Sequence, residues 1–198
     1  AHEEKLLRVE DTMAALNDLG RASRARAANT KIIAVTGSAG KTGTKEALRL
    51  ALQPSGTVHA SAKSHNNHWG VPLSLANMRR DTDFGVFEAG MNHAGELIGL
   101  SKLIRPQIAI VTTVEPVHLG FFASVEAIAD AKAEIFQGLE PGGVAVLNRD
   151  NPHFERLRRE AEKRGAKIVA FGEAKDADVR LLDAKIGDEG SDVTADVM

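Results

Sequence analysis

At 198 residues the chain can hold one large domain, or one domain with an appendage, around a sizeable core. Its apolar fraction of 43% and charged fraction of 26% are ordinary for a globular protein, and a net charge of −2 gives no bulk electrostatic case for nucleic-acid or membrane partners. The absence of cysteine excludes disulfides, thiolate metal sites and a cysteine nucleophile. With no apolar run of membrane-spanning length and no signal-peptide core, the expectation is a cytosolic protein without membrane insertion.

Residues 1–29 stand apart in composition. Residues 5–9 fit a short strand, and Asp11 is placed to cap a helix through Met13, Leu16 and Leu19. The Arg/Ala-rich residues 21–29 extend that helix or form a linker. This part reads as the end of an upstream unit.

An apolar, β-branched run at 32–36 then stops at Gly37, followed by Ser38, Ala39, Gly40, Lys41 and Thr42 and a helix over 44–52. This is the layout of a phosphate-binding loop. Glycine turns bring backbone N–H groups to an anion, and the helix N-terminus adds its positive dipole end. Lysine supplies a point charge, and the threonine hydroxyl can sit on Mg²⁺. Val35 stands where the longer form of the loop has its first glycine, so this is the shorter Gly-x-x-Gly-Lys-Thr type.

Strands are expected at 32–36, 57–60, 84–88, 108–112, 144–147 and 167–171, with helices at 44–52, 71–78, 94–103, 124–139 and 152–164 between them. Short apolar strands alternating with amphipathic helices imply an α/β fold, a mostly parallel, doubly wound sheet with ligands at the strands' carboxyl ends. Residues 178–186 and 193–198 flank Gly187-Asp188-Glu189-Gly190, a hairpin signal. Both chain ends look cut, and a fragment of a longer protein is expected.

The polar residues gather where strands end. The segment Lys63-Ser64-His65-Asn66-Asn67-His68 follows the second strand, and its asparagines serve either a ligand or the next helix as caps. Glu88 ends the third strand, before Gly90-Met91-Asn92-His93; it faces either a cation or solvent. His118 follows the fourth strand, where metal or phosphate contact competes with an ordinary core or surface role. Lys132 and Glu134 alone would be solvated helix residues. Asn148 and Asp150 end the fifth strand, either holding a nucleoside or capping the helix that Pro152 begins.

Six segments together resemble the Mur ligases, ATP-dependent enzymes that build the peptide of bacterial peptidoglycan. They are Val35-Thr36-Gly37-Ser38-Ala39-Gly40-Lys41-Thr42, Asn66-Asn67-His68-Trp69-Gly70-Val71-Pro72-Leu73, Glu88-Ala89-Gly90-Met91-Asn92-His93-Ala94-Gly95-Glu96, Pro116-Val117-His118-Leu119, Ala131-Lys132-Ala133-Glu134-Ile135-Phe136 and Val146-Leu147-Asn148-Arg149-Asp150. Gly43, in place of a common second threonine, and Ala89, in place of a larger apolar residue, are minor departures. The second and third segments favour the branch that adds D-alanyl-D-alanine to UDP-MurNAc-tripeptide.

The resemblance implies a P-loop NTPase-type central domain over 30–198, with 1–29 ending a UDP-sugar-binding domain and a third domain missing, so that this chain alone would have little ligase activity. It also implies that Gly37, Ser38, Ala39, Gly40, Lys41 and Thr42 cradle the ATP phosphates, with Asn67 nearby and Asn148 and Asp150 toward the adenosine. Thr42 and Glu88 would hold one Mg²⁺, and His118 a second, together with Lys132 as a carbamate. Asn92 and His93 would face the reacting carboxylate. The implied partners are UDP-MurNAc-tripeptide and D-Ala-D-Ala, in a monomer. A folylpolyglutamate synthetase-type ligase and a P-loop nucleotide-binding module without ligation are the alternatives.

Overall fold

The computed structural model describes residues 6, 8–117, 120–188 and 190–197. Helix α1 spans Thr12–Arg26 and is followed by strand β1, Lys31–Thr36, and helix α2, Lys41–Leu52. Then come β2 (Val58–Ala60), α3 (Gly70–Ala76), β3 (Phe84–Glu88), α4 (Glu96–Ile104) and β4 (Ile108–Val111). The chain continues through α5 (Val125–Ala133), β5 (Val144–Asn148), α6 (Phe154–Glu162), β6 (Lys167–Gly172), β7 (Val179–Ile186) and β8 (Ser191–Val197).

The eight strands form one sheet in the order β2-β3-β1-β4-β5-β6-β7-β8, parallel up to β7 and antiparallel only between β7 and β8. Alternation along β1 builds two cores, because successive side chains of a strand point to opposite faces. Ile32 and Ala34 join the larger core with Leu75, Leu97, Ile128 and Leu157 of α3 to α6. Ile33 and Val35 pack on the other face with Leu48 and Leu52 of α2. Helices on both faces make this the doubly wound sheet expected from the alternation.

Several boundaries differ from expectation. Helix α2 begins at Lys41, because Gly40 (φ +80°) turns the chain directly into it. Gly95 (φ +91°) likewise delays α4 to Glu96. Helix α5 stops at Ala133 and tightens into a 3₁₀ turn over Glu134–Gly138. There the Ser101 hydroxyl of α4 donates to the Ile135 carbonyl and accepts from the Gly138 N–H, diverting the chain from a longer α-helix. Of the short strand expected at 5–9, residues 5 and 7 lie outside the described residues, and 6, 8 and 9 are not extended into a sheet.

Helix α1 is capped as expected, Asp11 Oδ1 accepting from Met13 N at 2.8 Å and Ala14 N at 3.0 Å. It packs on α3, where a Cβ at Gly20 would stand 3.2 Å from Pro72 Cα. The buried Arg24 guanidinium then ties the end of α1 to the end of α4, donating to Ile104 O at 2.7 Å and Arg105 O at 2.8 Å.

At the far edge, β6 pairs with β7 only through Phe171↔Val179 and Gly172↔Arg180. The β7–β8 ribbon therefore runs on past the parallel sheet's carboxyl edge. Its turn, with Glu189 outside the described residues, closes through Gly187 N donating to Gly190 O at 2.8 Å. A bulge between Leu181 and Asp183 keeps the apolar pairs Leu181↔Ala195 and Ala184↔Val193 separate from the charged pairs Arg180↔Asp196 and Lys185↔Asp192.

Candidate active site

The neighbours of β1 are β3 on one side and β4 on the other, so the crevice past its carboxyl end is the switch point where ligands of such sheets gather. The phosphate loop leaves β1 there and is fastened to the segment after β4. Ser38 N donates to Thr113 O at 2.9 Å, Glu115 N to Ser38 Oγ at 2.8 Å, and Thr112 Oγ1 to Ala39 O at 2.5 Å. Gly37 is dictated by this contact, since a Cβ on it would lie 1.8 Å from Thr112 Oγ1. The Lys41 ammonium folds back onto Gly37 O at 2.7 Å. Burial lowers its pKa, against the opposing charge of Glu88.

Glu88 lies beside Val35 in the β1–β3 register, with only 1% of its surface exposed. That exposure removes the solvent-facing reading. Thr42 Oγ1 donates to Glu88 Oε2 at 2.9 Å, and Asn66 Nδ2 to Oε1 at 2.7 Å. The Glu88 N–H donates to Ser61 Oγ at 3.1 Å. A buried carboxylate and a threonine hydroxyl beside the phosphate loop are hard oxygen donors of the kind Mg²⁺ prefers, and this donor set fits that ion. Among the described residues, which exclude His118, no group of three or more His, Cys, Asp or Glu is placed to hold a metal.

Lys132 is buried, not solvated, at 3% exposure. Its pKa falls to about 7, first through burial and then through the charge of Lys41. It shares a cavity of about 220 Å³ with Gly37, Lys41, Asn66, Asn67 and Asn92.

The remaining expected residues divide. Asn92 lines that cavity, and its backbone N–H donates to Glu96 Oε2 at 2.7 Å. His93 is exposed; its Nδ1 lies 3.2 Å from Glu96 Oε1 and its ring stands edge-on to Phe121. Asn67 also reaches the cavity, but its Oδ1 accepts from Gly70 N at 2.9 Å at the start of α3. Asn148 Oδ1 accepts from Asp150 N at 3.0 Å. Asp150 does not cap α6; its carboxylate takes Glu173 N at 2.6 Å and Ala174 N at 2.9 Å, closing the turn after β6. His118 lies outside the described residues.

Three residues take roles that a linear reading did not assign them. Asn66 is the asparagine that holds Glu88, and only its pairing with Asn67 drew notice. Ser61 reads as an ordinary loop serine. Glu134 accepts from Gly95 N at 2.7 Å at the start of α4, and burial raises its pKa against the lowering influence of the Gly95, Leu97 and Ile98 amides at that helix start.

The profile of the Mur ligase middle domain matches residues 35–197. The chain belongs to the Mur ligase family.

Among Mur ligases, the UDP-N-acetylmuramoyl-tripeptide–D-alanyl-D-alanine ligase of Rickettsia prowazekii (strain Madrid E) is 36% identical over 181 residues, covering 91% of this chain and 40% of the relative. A MurF ligase of Thermotoga maritima, solved in complex with ADP, superposes with a TM-score of 0.84 at 27% identity, over 100% of this chain and 45% of that one. The chain thus spans less than half the length of the Mur ligases it matches. The apo form of L. casei FPGS, at a TM-score of 0.72 and 18% identity over 96% of this chain and 56% of that one, shares the fold alone.

Proposed function

We propose that this chain is the ATP-binding part of a ligase that adds D-alanyl-D-alanine to UDP-MurNAc-tripeptide in peptidoglycan synthesis. On this reading residues 30–198 form the central domain, and 1–29 end an N-terminal sugar-nucleotide domain and link to it. The protein acts as a cytoplasmic monomer on small-molecule substrates.

The observation that carries the reading is Lys132, buried beside Lys41 in the cavity at the mouth of the phosphate loop, next to the Thr42–Glu88 pair. A switch or binding module needs a loop and a metal carboxylate, but it has no use for a buried Lys132 beside them whose pKa is lowered to about 7. The relatives named for D-alanyl-D-alanine addition, and the Thermotoga maritima structure with ADP, support the same choice.

The reaction joins a carboxylate to an amine with ATP as the driver. The tripeptide's terminal carboxylate attacks the γ-phosphorus, ADP departs, and an acyl phosphate forms. The amine of D-Ala-D-Ala then attacks the acyl carbon, and loss of a proton and of phosphate leaves the amide. Two anions must meet in the first step, so the chain's task is to hold them together and neutralise their charge. Lys41 and the loop amides of residues 37–42 bind the phosphates. Asn92 and His93 face the incoming carboxylate, and Asn148 and Asp150 lie toward the adenosine. Glu88 and Thr42 would hold one Mg²⁺, and His118 with Lys132 a second. Bound there, the ions supply positive charge to the phosphate oxygens. As the free amine, Lys132 would add its nitrogen lone pair to the carbon of CO₂ and release one proton to solvent, giving a carbamate, an anionic oxygen ligand where an ammonium would repel the metal.

Incubating the full-length protein with ATP, UDP-MurNAc-tripeptide and D-Ala-D-Ala tests this. Phosphate release that depends on the dipeptide is expected; none from well-folded protein overturns the proposal.

A further inference from the structure

Lys45 lies one helical turn after Lys41, on the side of α2 that faces the sheet, and none of its surface is exposed. A buried ammonium is costly unless its donors are used. Here Nζ donates to Ser61 O at 2.7 Å and to Lys63 O at 2.8 Å, and lies 3.1 Å from Glu46 Oε1. Lys63 sits at φ +49°, a left-handed conformation that a side-chain-bearing residue rarely adopts without support.

The segment that Lys45 grips is the one that positions Glu88. Ser61 Oγ accepts from the Glu88 N–H at 3.1 Å, Asn66 Nδ2 donates to Glu88 Oε1 at 2.7 Å, and Asn66 O accepts from Gly90 N at 2.8 Å. The other donor to the same carboxylate, Thr42, lies on α2 itself, three residues before Lys45. Two donors from two segments must therefore meet on one carboxylate, and Lys45 is a side-chain link between those segments.

We propose that Lys45 is a positioning residue: its ammonium clamps the 61–66 segment to α2 so that Glu88 faces Thr42 in a metal-binding arrangement. The proposal rests on the reading of Thr42 and Glu88 as Mg²⁺ ligands. The Lys45 ammonium is engaged by Ser61 O, Lys63 O and Glu46, and acts on Thr42 and Glu88 through those segments. Its effect is confined to the Mg²⁺-dependent part of binding, whereas the phosphate loop, fastened to Thr112 and Thr113, keeps its own geometry.

The test is equilibrium titration of the full chain with ATP, with and without Mg²⁺, for wild type, Lys45→Met and Ser61→Ala. Methionine keeps the length and removes the donors and charge; Ser61→Ala removes the Glu88 anchor with a minimal change of volume. Both variants are expected to raise the half-saturating Mg²⁺ concentration by about 10-fold or more, the scale of a lost outer-shell partner, with metal-free ATP binding within about 2-fold of wild type. Wild-type Mg²⁺ dependence in a folded Lys45→Met overturns the proposal. Equal weakening with and without Mg²⁺ also overturns it, because a general loss of structure explains that result. If Lys45→Met does not fold, Lys45→Gln, which keeps a polar donor but loses the charge and the reach to both carbonyls, decides by the same criterion. A wild-type chain that binds ATP with no response to Mg²⁺ instead overturns the metal reading of Thr42 and Glu88, and the clamp with it.

Discussion

The Thr42 hydroxyl lies 2.9 Å from Glu88 Oε2, joining the first turn of α2 to the end of β3 across 46 residues of sequence. Each is a metal-ligand candidate by residue type, and only β1–β3 pairing makes them neighbours. If they hold Mg²⁺, Glu88→Gln keeps the shape and loses the charge. Loss of roughly 100-fold or more in ATP-dependent turnover is expected, the scale of removing one electrostatic stabiliser. Steady-state kinetics over a range of Mg²⁺ concentrations checks this, and an unchanged Mg²⁺ dependence counts against the assignment.

Lys132, with its pKa lowered to about 7 by burial and by Lys41, gains free amine as pH rises through that value. A carbamate signal from ¹³C-bicarbonate in the NMR spectrum is expected to grow between about pH 6 and pH 8 and to vanish in Lys132→Ala. Activity lost in Lys132→Ala is expected to return in part with added short-chain carboxylates; wild-type activity in that variant rules the carbamate out. Lys41→Met removes the neighbouring charge, so the Lys132 titration moves to higher pH.

The same shift has a stability consequence. Between about pH 7 and the ordinary lysine value of 10.5 the unfolded chain binds the extra proton, so stability rises with pH across that window. Below it, burial of the charged amine is penalised in full. Lys132→Met is therefore expected to stabilise the fold near pH 6 and to lose that advantage by about pH 10, read by denaturant unfolding at each pH.

At Gly37 an added Cβ would meet Thr112 Oγ1 at 1.8 Å, and the Thr112 backbone N lies 3.2 Å away. Gly37→Ala must push the loop off the β4 exit. Phosphate-dependent nucleotide binding is expected to fall by at least about 10-fold, with a stability loss of about 1 to 3 kcal/mol. Calorimetric titration with ATP, beside a thermal melt, separates the two effects.

Arg24 anchors α1 through the Ile104 and Arg105 carbonyls. Arg24→Met strands two acceptors at the end of α4, and a loss of about 2 to 3 kcal/mol is expected, the usual worth of hydrogen bonds to a charged group. Denaturant unfolding gives the value. Hydrogen exchange is expected to quicken first in α1, because its end loses those bonds.

Sequence by itself determined the local features. The alternation of apolar strands with amphipathic helices set the sheet's class, and Gly37 to Thr42 declared an anion site, because period and turn chemistry are carried by neighbours in the chain. Asp11 announced the start of α1 for the same reason. The tertiary structure decided which polar groups meet. That Asn66 holds Glu88 while Asn67 caps α3 follows from where β2 and β3 deliver their loops. That Lys132 loses its charge near neutral pH follows from burial, which helix periodicity left open. The phosphate loop was legible because its pattern is carried by neighbouring residues; Glu88 and Lys132 were assigned their roles only through the family resemblance, since a carboxylate and a lysine gain their chemistry from what folding packs around them.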